Sequence, residues 1–242
     1  MQIDFYEEFP TKENLKKLKL VKYPVKLFVA VKSLEEFKKL EKQIKKIKKD
    51  IKIAYWPIIP NSYWISPFSN TKDLFELFGS LDKIQNEFLM DLEIPLKKSM
   101  VIKNLFFFFK NKKLIKKFIE KKKNRITTAK FPIPIISPLI KLLGLDYKIK
   151  TEKSLMWYSS MRSKTMNKCI KNHLKNLKDK HQYSISLGTI AKGILETEPI
   201  LSPKGLEKDL EFVKKVGFKK VIIFRLGGLN KNYIKIIDKF QK

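Results

Sequence analysis

The chain has a single cysteine, Cys169, in 242 residues. It cannot form an intrachain disulfide, and without a CxxC pair or a Cys/His cluster it has no zinc site. The fold is therefore expected to hold through its apolar core alone. Histidine is nearly as scarce: His173 lies in a Lys-rich helical pattern and His181 just precedes an apolar run, positions that read as surface. Carboxylates alone can hold magnesium, but no metal and no cofactor is expected. Long apolar runs are also missing. None reaches the roughly 18 residues that span a bilayer, and the first strand candidate begins at Ile3, which leaves no space for a charged segment and apolar core of a secretory signal. A cytoplasmic, soluble protein is expected. A Gly-rich phosphate fingerprint is absent as well: the first apolar run is followed by Glu7-Glu8-Phe9-Pro10, which argues against a dinucleotide-binding doubly wound sheet.

Acidic residues are in short supply, 24 against 53 basic ones, for a formal charge of +29. Arginine is rarer still, with only Arg125, Arg162 and Arg225. Phosphate-reading sites exploit the guanidinium fork, so a chain this rich in lysine and poor in arginine points to A/T-biased coding for much of its basicity. No zinc finger, RNP-like or helix-turn-helix pattern is visible, and no specific nucleic acid is expected. A charge this large still attracts polyanions at low salt.

What the sequence does hold is an alternation. Apolar runs at Ile3–Phe9, Leu27–Val31, Ile51–Trp56, Phe88–Ile94, Ile126–Phe131, Leu155–Ser159, Tyr183–Leu187 and Val221–Leu226 are mostly followed by helical patterns. Strands alternating with helices imply a parallel sheet, and this number of units in a chain of this length predicts a closed α/β (β/α)8 barrel, a TIM barrel, as a single domain over 1–242. Ser33-Leu-Glu-Glu36 reads as a capping box, Asn70 or Thr71 as a cap for the third helix, and Ser202-Pro203 as a helix start that Gly217 ends.

In such a barrel chemistry sits at the C-terminal strand ends. On strand four a side-chain period of two puts Asp91 and Glu93 on one face and Phe88, Met90 and Leu92 on the other. Helices cover the outside, so the carboxylates are expected to point inward. On strand one the same alternation brings Asp4, Tyr6 and Glu8 into the lumen. Carboxylates facing one another across an aromatic-lined mouth repel and are desolvated, so one should hold a proton near neutral pH. Glycoside hydrolysis needs such an acid/base pair, separated by about 5 to 9.5 Å. Glu93 is the expected general acid, with Asp91 orienting it and Glu8 as base or nucleophile. Trp56, Tyr63, Trp64, Trp157 and Tyr158 are expected to line a sugar cleft, with Asn61 and Arg225 fixing the ligand. The bland reading is an ionic layer in which Glu93 pairs with Lys130 or Arg225.

Asp91-Leu92-Glu93 at the end of strand four, with the aromatic pair Trp157-Tyr158 on strand six, resembles the barrel glycosidases of the chitinase and lysozyme-like type. The resemblance implies that Glu93 is the proton donor and that the substrate is a carbohydrate or glycoconjugate. That family carries further acids upstream on the same strand, where this chain has Asn86, Glu87 and Leu89, and an acid in strand six where this chain has Ser159. The second carboxylate stays open among Asp91, Glu8, Glu196 and Glu198.

Two other readings start from other segments. Arg225, Gly227 and Gly228 after strand eight could seat an anion near a short helix, as in a lyase or isomerase of a phosphorylated metabolite with Lys32 or Lys130 as Schiff-base or acid/base lysine. Between Lys97 and Arg125, twelve basic residues and one acid surround Leu105-Phe-Phe-Phe-Phe109. This is expected to be helix four with its Phe face on the sheet, but a basic amphipathic helix can also lie on an anionic membrane or clasp a polyanion. The oligomeric state stays open.

Overall fold

The computed structural model describes residues 1–60, 62–133 and 136–241. Eight parallel strands, each hydrogen-bonded to the next in chain order, close into a barrel: β1 Gln2–Glu7, β2 Val25–Val31, β3 Ile51–Pro57, β4 Phe88–Met90, β5 Ile126–Lys130, β6 Glu152–Met156, β7 Tyr183–Gly188 and β8 Lys220–Phe224. Closure is made by β1 against β8, from Gln2 opposite Lys220 to Tyr6 opposite Phe224. The helices are α1 Lys12–Lys16, α2 Leu34–Ile47, α3 Thr71–Leu81, α4 Lys98–Asn104, α5 Phe108–Lys122, α6 Ser137–Leu142, α7 Lys164–Asn176, α8 Pro203–Lys215 and α9 Lys231–Ile237. None among the described residues is long and apolar enough to cross a membrane.

Strand alternation sorts the apolar side chains into two layers. One face, including Phe5, Leu27, Tyr55, Phe88, Leu155 and Ile223, packs under the helices. The other, including Tyr6, Phe28, Trp56, Leu89, Met156 and Phe224, fills the lumen. Stacked rings join helix to strand and helix to helix: Phe37 of α2 stacks on Tyr55 of β3 at 4.8 Å, and Phe78 of α3 on Phe118 of α5 at 4.2 Å. Each fully buried Phe contributes roughly 2 to 3 kcal/mol of transfer free energy. The expected helix signals are used. Ser33 Oγ accepts from Glu36 N (3.1 Å), Asn70 from Lys72 N (2.8 Å) and Ser202 from Gly205 N (3.1 Å), and Gly217 takes φ +93 at the end of α8.

Below the mouth Tyr6 reaches across the lumen, its hydroxyl donating to Ser154 Oγ (2.8 Å) and lying 3.2 Å from Ser186 Oγ. Segment 97–125 differs from a single sheet-facing helix. Ile115, Phe118 and Ile119 of α5 are buried, but the Phe run at its start is largely exposed, because α4 and the turn Leu105–Phe107 stand away from the barrel.

Candidate active site

Glu8 leaves β1 and Asp91 and Glu93 leave β4, each at the C-terminal end and each on the inward face. Phe88, Met90 and Leu92 pack outward, as the period of two requires. Past Met90 the strand is prolonged by a parallel bridge between Ile65 and Leu92, with Ile65 N donating to Asp91 O (3.1 Å). The three carboxylates line a cavity of about 290 Å³ whose walls are Trp56, Trp64 and Tyr158 together with Leu89, Phe131, Met156, Ile194 and Phe224.

Desolvation dominates their electrostatics. It raises Asp91 well above the ordinary carboxylate range, reinforced by the charges of Glu93 and Glu8; the Trp64 and Trp56 indoles oppose it, though neither Asp91 Oδ1 nor Trp56 Nε1 has a partner at hydrogen-bond geometry. Glu93 sits at the rim, partly open to solvent. Burial of its carboxylate still raises its pKa to about 7, with Glu8 adding to the rise and Arg162 opposing it. Glu8 is also pushed to about 7, first by burial and then by Glu198, against a hydrogen bond from Tyr63 and the charge of Arg225. Like charges in a low-dielectric site cannot all ionise together, so the cluster retains protons at neutral pH.

The loop after β3 delivers the aromatic side of the mouth. Ile59 and Tyr63 exchange two backbone hydrogen bonds (3.0 and 2.9 Å), which hold Tyr63 at φ +66, an uncommon conformation for a bulky residue. In that conformation the Tyr63 hydroxyl donates to Glu8 Oε1. The loop is anchored from behind by α5: the fully buried Asn111 amide donates to Pro67 O (3.0 Å) and Ser69 O (2.9 Å) and accepts from Thr71 Oγ1 (2.8 Å).

The structure brings together Glu8, Asp91, Glu93, Trp56, Tyr63, Trp64 and Tyr158. Asn61 lies outside the described residues. Trp157 does not join the cleft. Adjacent strand residues face opposite ways, and with Tyr158 inward Trp157 is buried in the outer layer, its indole donating to Asn167 (2.8 Å). Glu196 is exposed, whereas Glu198 is buried at the cavity, accepting from Leu195 N (3.2 Å) with Oε2 unpartnered. Lys130 points out of the barrel and pairs with Asp146 (2.7 Å), and Lys32 is exposed. Among the described residues no lysine lines the cavity, so a Schiff-base role for Lys32 or Lys130 has no support.

Arg225 does not pair with Glu93 either. Its guanidinium binds Glu7 (3.0 Å) and Lys192 O (2.8 Å) and covers the Phe9 ring. The fully buried Glu7 also accepts from Phe9 N (2.8 Å) and Gly227 N (2.5 Å). An internal carboxylate thus occupies the place expected for a bound anion after β8. Gly227 and Gly228 serve packing instead: a Cβ on Gly228 would lie 1.9 Å from Ile190 O.

Three features of the site gave no sequence signal. Arg162, after β6, lies over Phe131 at 5.5 Å with Nε unpartnered near Glu93. Asn111 looks like any polar residue in a Lys-rich helix. Gly193 is required because a Cβ there would lie 2.7 Å from Glu8 Oε2 and 2.8 Å from Glu198 Oε1, which also places those two carboxylates side by side. Among the described residues no group of three or more His, Cys, Asp or Glu is arranged to hold a metal ion.

No family model matches the sequence, and no curated protein matches it. Among solved structures, a class V chitinase from Nicotiana tobaccum superposes with a TM-score of 0.57 at 9% identity, covering 97% of this chain and 98% of that one. A xylose isomerase-like TIM barrel/4-hydroxyphenylpyruvate dioxygenase fusion protein gives a TM-score of 0.47 at 12% identity, over 92% of this chain and 38% of that one. The chain is a (β/α)8 barrel similar in fold, end to end, to that class V chitinase.

Proposed function

We propose that the barrel is a glycoside-hydrolase-like enzyme acting on a carbohydrate or glycoconjugate. The observation that carries this reading is the cluster of Glu8, Asp91 and Glu93 at the C-terminal mouth, two of them titrating near pH 7 and none in a salt bridge among the described residues. Glu93, at the rim, holds a proton near neutrality and gives it to the glycosidic oxygen as that bond breaks. The positive charge that develops on the sugar ring is stabilised by the carboxylates still ionised, and Tyr63 favours the charged form of Glu8 by donating to it. Glu8 then serves as nucleophile, or as base taking the proton of the water that attacks the anomeric carbon; burial and the Glu8 charge keep Glu93 protonated, while Asp91, raised further above the carboxylate range by its own burial, stays neutral and orients Glu93. Trp56, Trp64 and Tyr158 line the cavity with aromatic surface, which suits sugar rings. The apolar wall of Met156, Ile194 and Phe224 suits a glycoconjugate with a nonpolar aglycone.

The test is hydrolysis of a panel of fluorogenic glycosides between about pH 5 and 8 by the parent chain and Glu93→Gln. The expected result is turnover that peaks near neutrality and falls by roughly 10²–10⁴ in the variant. Equal turnover by the folded variant removes Glu93 as the acid, and a folded parent chain inert on every glycoside overturns the reading.

A further inference from the structure

We propose that the exposed face formed by α4, the turn after it and the start of α5 docks the barrel onto an anionic lipid bilayer. Phe106 is 90% exposed, Phe109 80% and Ile102 76%, values that a folded chain avoids for large apolar side chains unless something covers them. Leu139 and Leu142 of the neighbouring α6 are also exposed. The two helices are joined where Lys112 Nζ donates to Leu142 O (2.8 Å).

Charge selects the occupant. The exposed lysines Lys97, Lys98, Lys103, Lys110 and Lys113 ring the apolar side chains, and no acidic residue occurs between Glu93 and Glu120. A second copy of the chain would oppose this lysine ring to itself, at a formal charge of +29 on each copy. Like-charge repulsion disfavours that contact. A nucleic acid would satisfy the lysines but would give no use to aliphatic Ile102, Leu139 and Leu142. A bilayer bearing anionic headgroups meets both demands: rings and aliphatic tips enter the acyl boundary while ammonium groups stay at the headgroup level. The face begins five residues after Glu93, through exposed Ile94 and Leu96, so docking sets the barrel mouth beside the lipid surface. The docking stands independently of catalysis.

The test is co-sedimentation of the full chain with vesicles of about 30% phosphatidylglycerol in phosphatidylcholine, compared with pure phosphatidylcholine, at about 0.15 M salt. Binding is expected on the anionic vesicles, and Phe106→Ser/Phe109→Ser should weaken it at least about tenfold with formal charge unchanged. In a second measurement, the emission of a Phe106→Trp variant should be quenched by lipids brominated on their acyl chains. Sedimentation unaffected by the double substitution, or no quenching, would mean adsorption by charge alone and would overturn the proposal. So would equal binding to neutral vesicles, no binding at all, or a dimer in solution that the double substitution dissociates. Displacement from the vesicles by single-stranded oligonucleotide, with quenching absent, would assign the face to nucleic acid instead.

Discussion

Replacing Glu93 by Gln should make the protein more stable at alkaline pH while impairing its chemistry. The carboxyl moves from an ordinary 4.5 to about 7 on folding. Between these values the folded chain keeps a proton that the unfolded chain has released, so stability falls as pH rises through the window and levels off above 7. The full cost of ionising Glu93 in place is about 3 kcal/mol above pH 7. Gln matches the neutral acid in shape and polarity, and because Glu93 is partly open to solvent the screened gain is about 2 kcal/mol, or about 4 to 8 °C in Tm for a chain of this size. Below about pH 4 the carboxyl is neutral in both the folded and the unfolded chain and the difference should vanish. The assay is thermal unfolding by circular dichroism of parent and variant across about pH 4 to 9 at fixed salt. Subtraction cancels the general effect of protonating other carboxylates on a chain of charge +29. A variant less stable than the parent at pH 8, or a difference that is the same at pH 5 and pH 8, would refute the claim that the cluster is held under electrostatic strain.

Asn111→Ala removes three hydrogen bonds from a fully buried amide and should cost about 2 to 4 kcal/mol in urea unfolding, with Trp64 emission shifting as the loop loosens. Glu7→Gln breaks the buried pair with Arg225 and should destabilise by about 3 kcal/mol; millimolar phosphate should leave the parent Tm unchanged, because Glu7 already fills that site. Gly193→Ala pushes on the Glu8 and Glu198 carboxylates and the buried Phe224 ring rather than on backbone, so turnover should drop about tenfold or more while stability in urea falls by only about 1 to 2 kcal/mol.

The barrel was legible because its strands are apolar on both faces and separated by capped helices, and the inward turn of Asp91 and Glu93 followed from alternation on β4 alone. The same rule, applied to β6, separates Trp157 from Tyr158, so only Tyr158 reaches the cleft expected to hold both. That run also misled because β6 begins at the polar Glu152-Lys153-Ser154, which has no apolar signature. Arg225 and the glycines after β8 have the composition of an anion site, and only the fold reveals that Glu7, one residue before Glu8, turns outward to occupy it. Arg162, Asn111 and Gly193 act through contacts made across the barrel from distant segments, so no local pattern encodes them. The exposure of Phe106 and Phe109 was equally hidden, since a Phe-rich helix over a sheet is expected to bury its rings.

The Tyr6 ring, its hydroxyl tied to Ser154 and Ser186, reaches across the lumen below the carboxylates. With the path below occupied by that ring, protons would reach Glu8, Asp91 and Glu93 through the mouth, the opening a ligand would also use. A ligand that fills the mouth would freeze whatever protonation state the cluster held when it arrived, and exchange with solvent would resume only on release. On the proposed reading, the acid form of the site would be chosen before binding, by the pH outside, rather than adjusted afterwards.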